Sequence, residues 1–217
     1  MHTWSWENLC ALPQSLLTLS DQDGEPAGRI LLSEYIHALL NGIEHRYAAG
    51  WRFFQQHPQM LQDFSEPEVS RNDILQAIPE RLFAPLLWVF IGGAKTGTGL
   101  HQDVLHTHAW LAVLQGGKRV ALHAPADFEA DFAQRQQQAR AVLQSGTEQD
   151  GWLYFFLQAG DILLIPAGWW HVVENTAPTL ALTRNFALPE QRAQIYASAQ
   201  EQSLTRILPW LASEVCV

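Results

Sequence analysis

The apolar residues of this chain fall into short runs broken by glycine, proline and small polar clusters. Leu86 to Ile91 is continuously apolar and reads as a buried strand. Ala109 to Leu114 and Arg119 to Leu122 read as two more, and Gln115-Gly116-Gly117 between them has the composition of a hairpin turn. Tyr154 to Gln158, Ile162 to Ile165, Trp169 to Val173 and Thr179 to Phe186 continue the series. Upstream, Leu12 to Leu19 reads as a strand closed by a turn at Asp21-Gln22-Asp23-Gly24. Ser33 suits an N-cap for a helix over Glu34 to Leu40, where Tyr35, Ile36, Leu39 and Leu40 recur at helical spacing. Pro58 starts a helix through Leu61, and Ser70 to Ala77 predicts another short one.

Phe128 to Leu143 is glutamine-rich with no strand period and reads as an exposed helix set beside the strands. Pro189 opens a C-terminal helix towards Leu204, and Pro209 interrupts what remains. Short strands with Gly/Pro turns and flanking helices predict a mainly β fold, a barrel or double-sheet jelly roll with helical additions. We expect a single domain over 1–217. Its barrel core covers about 86–187, with strands and helices before it (1–85) and a helical segment after it (188–217).

Composition narrows the function classes. At 217 residues and 47% hydrophobic, the chain can bury one sizeable core. The formal charge is -9, from 13 basic and 22 acidic residues, and no polybasic run occurs. Nucleic acid and anionic membranes are therefore not expected partners, because phosphate binding needs concentrated positive charge. No apolar run approaches the roughly 20 residues of a membrane span, and no basic-then-apolar leader opens the chain. Two cysteines, Cys10 and Cys216, read as reduced thiols, and a cytoplasmic protein is the expectation. The nine tryptophans read as packing residues before they read as a substrate wall.

The candidate chemistry lies in His101-Gln102-Asp103 and in His171, which follows Ile165-Pro166-Ala167-Gly168-Trp169-Trp170. In extended chain, residues two apart point the same way, so His101 and Asp103 can share a metal while Gln102 faces elsewhere. Two histidines and one carboxylate on one face of a ferrous ion leave positions open for substrates, the pattern of non-haem Fe(II) oxygenases. Lys118 shares a strand face with Val120 and Leu122. It is either a turn lysine in solvent or an interior cation waiting for an anionic ligand. His106 and His108 read as loop residues near the metal motif. His2, His37, His45, His57 and His123 read as surface or packing residues. Either Glu174 or Asn175 could support His171 from behind, or both could end the strand in solvent.

Ordered motifs extend this site. Gly97-Thr98-Gly99-Leu100-His101-Gln102-Asp103, Ala109-Trp110, Gln115-Gly116-Gly117-Lys118-Arg119, Pro166-Ala167-Gly168-Trp169-Trp170-His171-Val172-Val173 and Thr183-Arg184-Asn185-Phe186 resemble the Jumonji-C (cupin-like) 2-oxoglutarate oxygenases. Within them, the branch of the Jumonji-C lysyl hydroxylase formerly called the phosphatidylserine receptor is the nearest. The resemblance covers roughly residues 86 to 187. It implies a double-stranded β-helix holding Fe(II) through His101, Asp103 and His171, with 2-oxoglutarate as cosubstrate and O2 as oxidant. It implies Lys118 and Thr98 at the distal carboxylate of 2-oxoglutarate, assisted by Tyr47, with Asn185 and Thr183 on a strand beyond the second histidine.

The reaction so implied is hydroxylation of a C–H bond with release of succinate and CO2. An amino acid, a peptide or a small metabolite is the expected substrate. A protein side chain is the alternative, and a non-catalytic metal-binding scaffold is the reading outside enzymes. Leu111 stands where the animal branch has an asparagine near the cosubstrate, and the basic and serine-rich extensions of that branch do not occur here. Finally, Ile195, Ala199, Leu204, Ile207, Leu208, Trp210 and Leu211 give the C-terminal segment much apolar surface. Either it pairs two chains as a homodimer or it folds back on its own barrel.

Overall fold

In the computed structural model, residues 4–13, 15–21, 25–126 and 131–212 are described. Part of the turn expected at 21–24, the start of the helix expected from Phe128, His2 and Cys216 lie outside them.

Eight strands form the two layers expected of a jelly roll: β4 (Leu87–Gly92), β5 (Gly97–His101), β6 (His108–Gln115), β7 (Gly117–His123), β8 (Trp152–Gln158), β9 (Ile162–Ile165), β10 (Trp170–Asn175) and β11 (Thr179–Phe186). A ninth, β3 (Ala48–Trp51), joins the larger layer. One sheet has the order β3-β4-β11-β6-β9, the other β5-β10-β7-β8, and every pairing is antiparallel. From β4 to β7 the chain changes sheet at each step, and it does so again from β8 to β11.

This alternation corrects the expected hairpin at Gln115-Gly116-Gly117. β6 and β7 are not partners, and the three residues turn a corner between sheets. Gly116 adopts φ +77°, and a Cβ there would lie 2.3 Å from the Pro178 carbonyl oxygen. Beside it, the Gly117 N–H donates to Thr179 Oγ at 3.1 Å, tying two corners of the sandwich together. A glycine pair thus signals close approach here as well as a turn.

Side chains alternating along the strands fill the space between the layers: Leu111 and Val113 from β6, Val120 and Leu122 from β7, Leu163 and Ile165 from β9. The outer face of the large sheet is covered by the N-terminal region. There α1 (Trp6–Cys10), the hairpin of β1 (Leu16–Ser20) and β2 (Pro26–Leu31), and α2 (Leu32–Leu40) pack on Leu87, Val89 and Ile91. Four elements differ from expectation here. β2 and α1 were not foreseen, β1 begins four residues later than Leu12, and α2 starts at Leu32 with no side-chain cap from Ser33. Tyr35 is anchored within the core because its hydroxyl donates to the Arg46 and Ile91 carbonyls.

The stretch 53–77 winds as 3-10 turns, including Pro58–Gln62, Glu68–Ser70 and Ile74–Ala77, in place of the α-helix expected over Ser70 to Ala77. Asp73 explains the break. One carboxylate oxygen accepts from the Leu75 and Ala187 backbones, the other from Arg184, which also pairs with Glu66. Long-range partners have won over helix propensity.

The glutamine-rich helix is α3 (Phe132–Ser145), and its last turns bury Ala139, Val142 and Leu143 on the small sheet. The C-terminal helices α4 (Arg192–Glu201) and α5 (Leu208–Ala212) fold back on their own chain. Ile195, Ala199, Ile207 and Leu211 are buried against Leu75, Leu86 and Leu105. The apolar positions that suggested a dimer are thus largely consumed inside the protomer. Pro209 stands at the second residue of α5 and so begins a helix instead of interrupting one. Among the described residues, no helix is long and apolar enough to cross a membrane.

Candidate metal centre

β5 ends on His101, and β10 carries His171 directly opposite it. Opposed residues in antiparallel strands project to one face, so the rings lie side by side with centroids 4.0 Å apart. Just past β5, Asp103 turns back and places Oδ2 4.0 Å from His171 Nε2. One ligand atom from each of the three residues lies within 4.8 Å of the others.

The backbone orients both rings. His101 Nδ1 sits 2.8 Å from the Gly99 carbonyl oxygen, and His171 Nδ1 sits 3.2 Å from that of Trp169. A carbonyl only accepts, so each Nδ1 carries the proton and each Nε2 keeps its lone pair for a metal. Burial, and then the neighbouring His101, hold the His171 imidazole well below its ordinary range despite the pull of Asp103. It is therefore neutral at pH 7. Asp103 Oδ2 is buried, with no hydrogen-bond partner among the described residues. A buried carboxylate oxygen without a donor is costly, and a divalent cation between it and the two Nε2 atoms offsets that cost. Two imidazoles and one carboxylate suit Fe(II) and leave further positions open. The residues present fit the metal.

Neighbouring residues hold the ligands in place. Gln102 does face away from the cluster, and its side-chain amide donates to the Gly168 carbonyl at 2.6 Å. His108 accepts from the Ala167 N–H at 2.9 Å through Nδ1 and stacks on Phe186. The turn leading into His171 is thus fastened on two sides. His108 opens β6, so it is a strand residue with a structural task and not the loop residue expected. His106 does lie in a turn, Val104–His106. His57 is buried against Ser15, a packing role as read.

Lys118 lies at the other end of the same cavity. β7 pairs with β10 so that Lys118 faces Asn175 while Leu122 faces His171. The lysine is 1% exposed. Its Nζ donates to Asn175 Oδ1 at 2.7 Å and stands 5.8 Å from the centre of the Tyr47 ring. No carboxylate among the described residues pairs with it. Burial pushes its pKa from the ordinary 10.5 down to about 7. The solvent alternative for Lys118 is thereby excluded.

Tyr47 hydrogen-bonds Thr98 and stacks on Phe90, and burial raises its phenol pKa further. Thr98, Thr183 and Asn185 line the cavity with the metal cluster and Lys118, and Leu111 contributes an aliphatic wall. Asn185 donates to Thr107 Oγ at 3.0 Å, while its own Oδ1 is buried and unpartnered. The cavity, about 80 Å³, thus holds an unneutralised cation at one end and an unsatisfied carboxylate at the other.

The sequence pattern of the cupin-like domain family matches residues 32–192, most of the chain. The chain belongs to the cupin-like family. Relatives of this cupin-like domain include the lysine-specific demethylase JMJ21 of Arabidopsis thaliana, 26% identical over 154 residues, covering 64% of this chain and 16% of the relative. The bifunctional arginine demethylase and lysyl-hydroxylase psr-1 of Caenorhabditis elegans is 27% identical, covering 61% of this chain and 37% of the relative. The 2-oxoglutarate and iron-dependent oxygenase JMJD4 of Gallus gallus is 22% identical over 195 residues, covering 81% and 45%. The cupin-like domain spans less than half the length of each of these three relatives.

Asn175, like His108, is a residue of the cupin-like domain that sequence reasoning placed wrongly. It does not support His171, whose Nδ1 is already engaged. It receives Lys118 and donates to Thr96 Oγ at 3.0 Å. Strand alternation carried the signal, since His171, Val173 and Asn175 share a face.

Proposed function

We propose that this cupin-like domain is an Fe(II)- and 2-oxoglutarate-dependent dioxygenase that hydroxylates a C–H bond. One observation carries the reading: a metal-ready His-Asp-His cluster and a buried lysine without a counter-ion share one cavity. In the overall reaction, one atom of O2 becomes the hydroxyl of the product. The other enters the succinate formed as 2-oxoglutarate loses CO2. Iron, bound by His101, Asp103 and His171, supplies the redox-active centre where the 2-oxo acid and O2 meet.

The protein's part is binding, orientation and exclusion of water. His171 and Asn175 stand four residues apart on β10, a rise of about 13 Å, which a five-carbon diacid spans together with the stem of Lys118. Lys118 holds the distal carboxylate as a point charge, Asn175 aims its ammonium group, and Thr98 and Tyr47 offer hydroxyls beside it. Val173, Leu111 and Ile165 keep water from the space between. Asn185 presents an unused acceptor near the metal end, and Thr183 presents its hydroxyl from the same strand face. A side chain in a peptide, a free amino acid and a small metabolite are all substrates this chemistry accepts.

Anaerobic titration with Fe(II) and then 2-oxoglutarate tests the reading. A visible charge-transfer band that needs both, followed in air by succinate release, is the expected result. Mass-spectrometric screening of amino acids and peptides then seeks a product with one added oxygen atom. No 2-oxoglutarate-dependent spectrum and no succinate would overturn it.

A further inference from the structure

A second, larger space begins at the metal ligands. His101 and Asp103 open into a cleft of about 550 Å³ walled by Phe83, Leu86, Trp88, Phe90 and Leu204. Trp88 and Phe90 also line the inner cavity, so the cleft is its approach from outside. Such walls accept an apolar group close to the metal. Past Gly50 the cleft meets a groove of about 320 Å³, and Ala49, Gly50 and Arg52 line both.

The charges along this route have one sign. Among the described residues, Arg52 is the only lysine or arginine lining the cleft, and Arg29 on β2 joins it in the groove. Neither guanidinium makes an ion pair or hydrogen bond with another described residue, whereas Arg46 and Arg184 are both engaged by carboxylates. Asp103, committed to the metal, is the only carboxylate lining either space among the described residues. A basic side chain entering the cleft would meet no anionic partner and one repelling cation. In a chain of net charge -9, two unpaired arginines beside the approach to the metal form a local attractor for anions.

We propose that the prime substrate pairs an apolar portion, lodged in the cleft near the metal, with a carboxylate received by Arg52 and, behind it, Arg29. The proposal rests on the oxygenase reading and names the substrate class of that site. The carboxylate can belong to a free apolar acid or to an acidic residue beside an apolar one in a peptide.

The test uses matched probes and Mn(II)-loaded protein, with and without 2-oxoglutarate. Phenylbutyrate is compared with phenylbutyramide, and a short blocked peptide containing Phe-Glu with the same peptide containing Phe-Gln. Broadening of the probes' proton NMR lines by Mn(II) reports both binding and closeness to the metal. At least one acid should bind tighter than its amide by about tenfold or more, the worth of a charged hydrogen bond, and the gap should narrow with added salt. Whichever pair shows the larger gap identifies a free acid or a peptide as the source. Arg52→Gln should erase the gap and Arg52→Lys should restore part of it. The 2-oxoglutarate affinity of each variant, set by Lys118 in the inner cavity, reports that the fold is intact. No acid outcompeting its amide, or a gap that survives both Arg52→Gln and Arg29→Gln, overturns the proposal. Failure of 2-oxoglutarate to bind the unaltered protein overturns the oxygenase reading instead, while the preference in the Mn(II) protein alone still judges the role of Arg52.

Discussion

Lys118→Met should abolish 2-oxoglutarate binding and, in the ligand-free protein, raise stability. The lysine is 1% exposed, and burial brings its pKa from 10.5 to about 7. The unfolded chain therefore holds a proton between pH 7 and 10.5 that the folded chain releases, so native stability rises with pH across that window. At pH 7 the burden of the buried amine is on the order of 4 kcal/mol, from a displacement of about 3.5 pKa units at 1.36 kcal/mol each. Methionine has nearly the same shape and no charge. Removing the amine leaves Asn175 Oδ1 without its donor, which costs roughly 1–3 kcal/mol. The net gain is about 1–3 kcal/mol, or about 2–10 °C in Tm for a chain of this size. Thermal unfolding of both proteins from pH 6 to pH 10 is the assay. The advantage of the variant should be largest at pH 7 and below and should shrink as pH rises towards 10.5. An equal loss of stability at every pH, or retained 2-oxoglutarate binding, would refute the account of Lys118 as an unneutralised buried cation.

The same lysine makes cosubstrate binding pH-dependent: affinity should be flat below about pH 7 and fall about tenfold per pH unit above it, because only the ammonium form attracts the dianion. Calorimetry at pH 8 in buffers of different ionisation enthalpy should show nearly one proton taken up per 2-oxoglutarate. Mn(II) or Zn(II) should raise the Tm of the unaltered protein but not of Asp103→Ala, whose metal-free form should be no less stable, since the variant removes a buried carboxylate oxygen lacking a donor. Gly97→Ala should cost several kcal/mol and weaken metal affinity, measured by competition with a coloured chelator, because a Cβ there lies 1.9 Å from the Val173 carbonyl oxygen and must push β5 off β10.

Most barrel strands were legible because each is a short apolar run near a glycine or proline, and β9 and β11 have the predicted limits, whereas β3 and the glycine-rich β5 show no such run. The metal cluster was legible because its ligands lie on extended chain with a spacing that fixes their direction. What failed were connections and supports. The glycines at 116 and 117 look like a hairpin from composition alone, since local sequence does not reveal which sheet the next strand joins. The turns over 68–77 are set by Arg184, more than a hundred residues away, meeting Asp73. Propensity could not foresee that partner. β2 was missed because Pro26-Ala27-Gly28-Arg29 lacks any β-rich pattern, and its pairing with β1 supplies the order that the residues do not.

The alternation of strands between sheets also decides where this architecture can grow. The links 93–96, 116, 159–161 and 176–178 each cross between layers within a few residues, so added length there would pry the layers apart. The link between β7 and β8 differs. It joins neighbours in one sheet and already carries α3 on the outer face of that sheet, although it leaves β7 at His123, which pairs with Trp170 beside His171. It is the port through which a descendant could gain a whole accessory module, or an engineer could graft a reporter, without prying the two layers apart. Evolutionary novelty in this fold is thus channelled by topology towards a link that stays within one sheet.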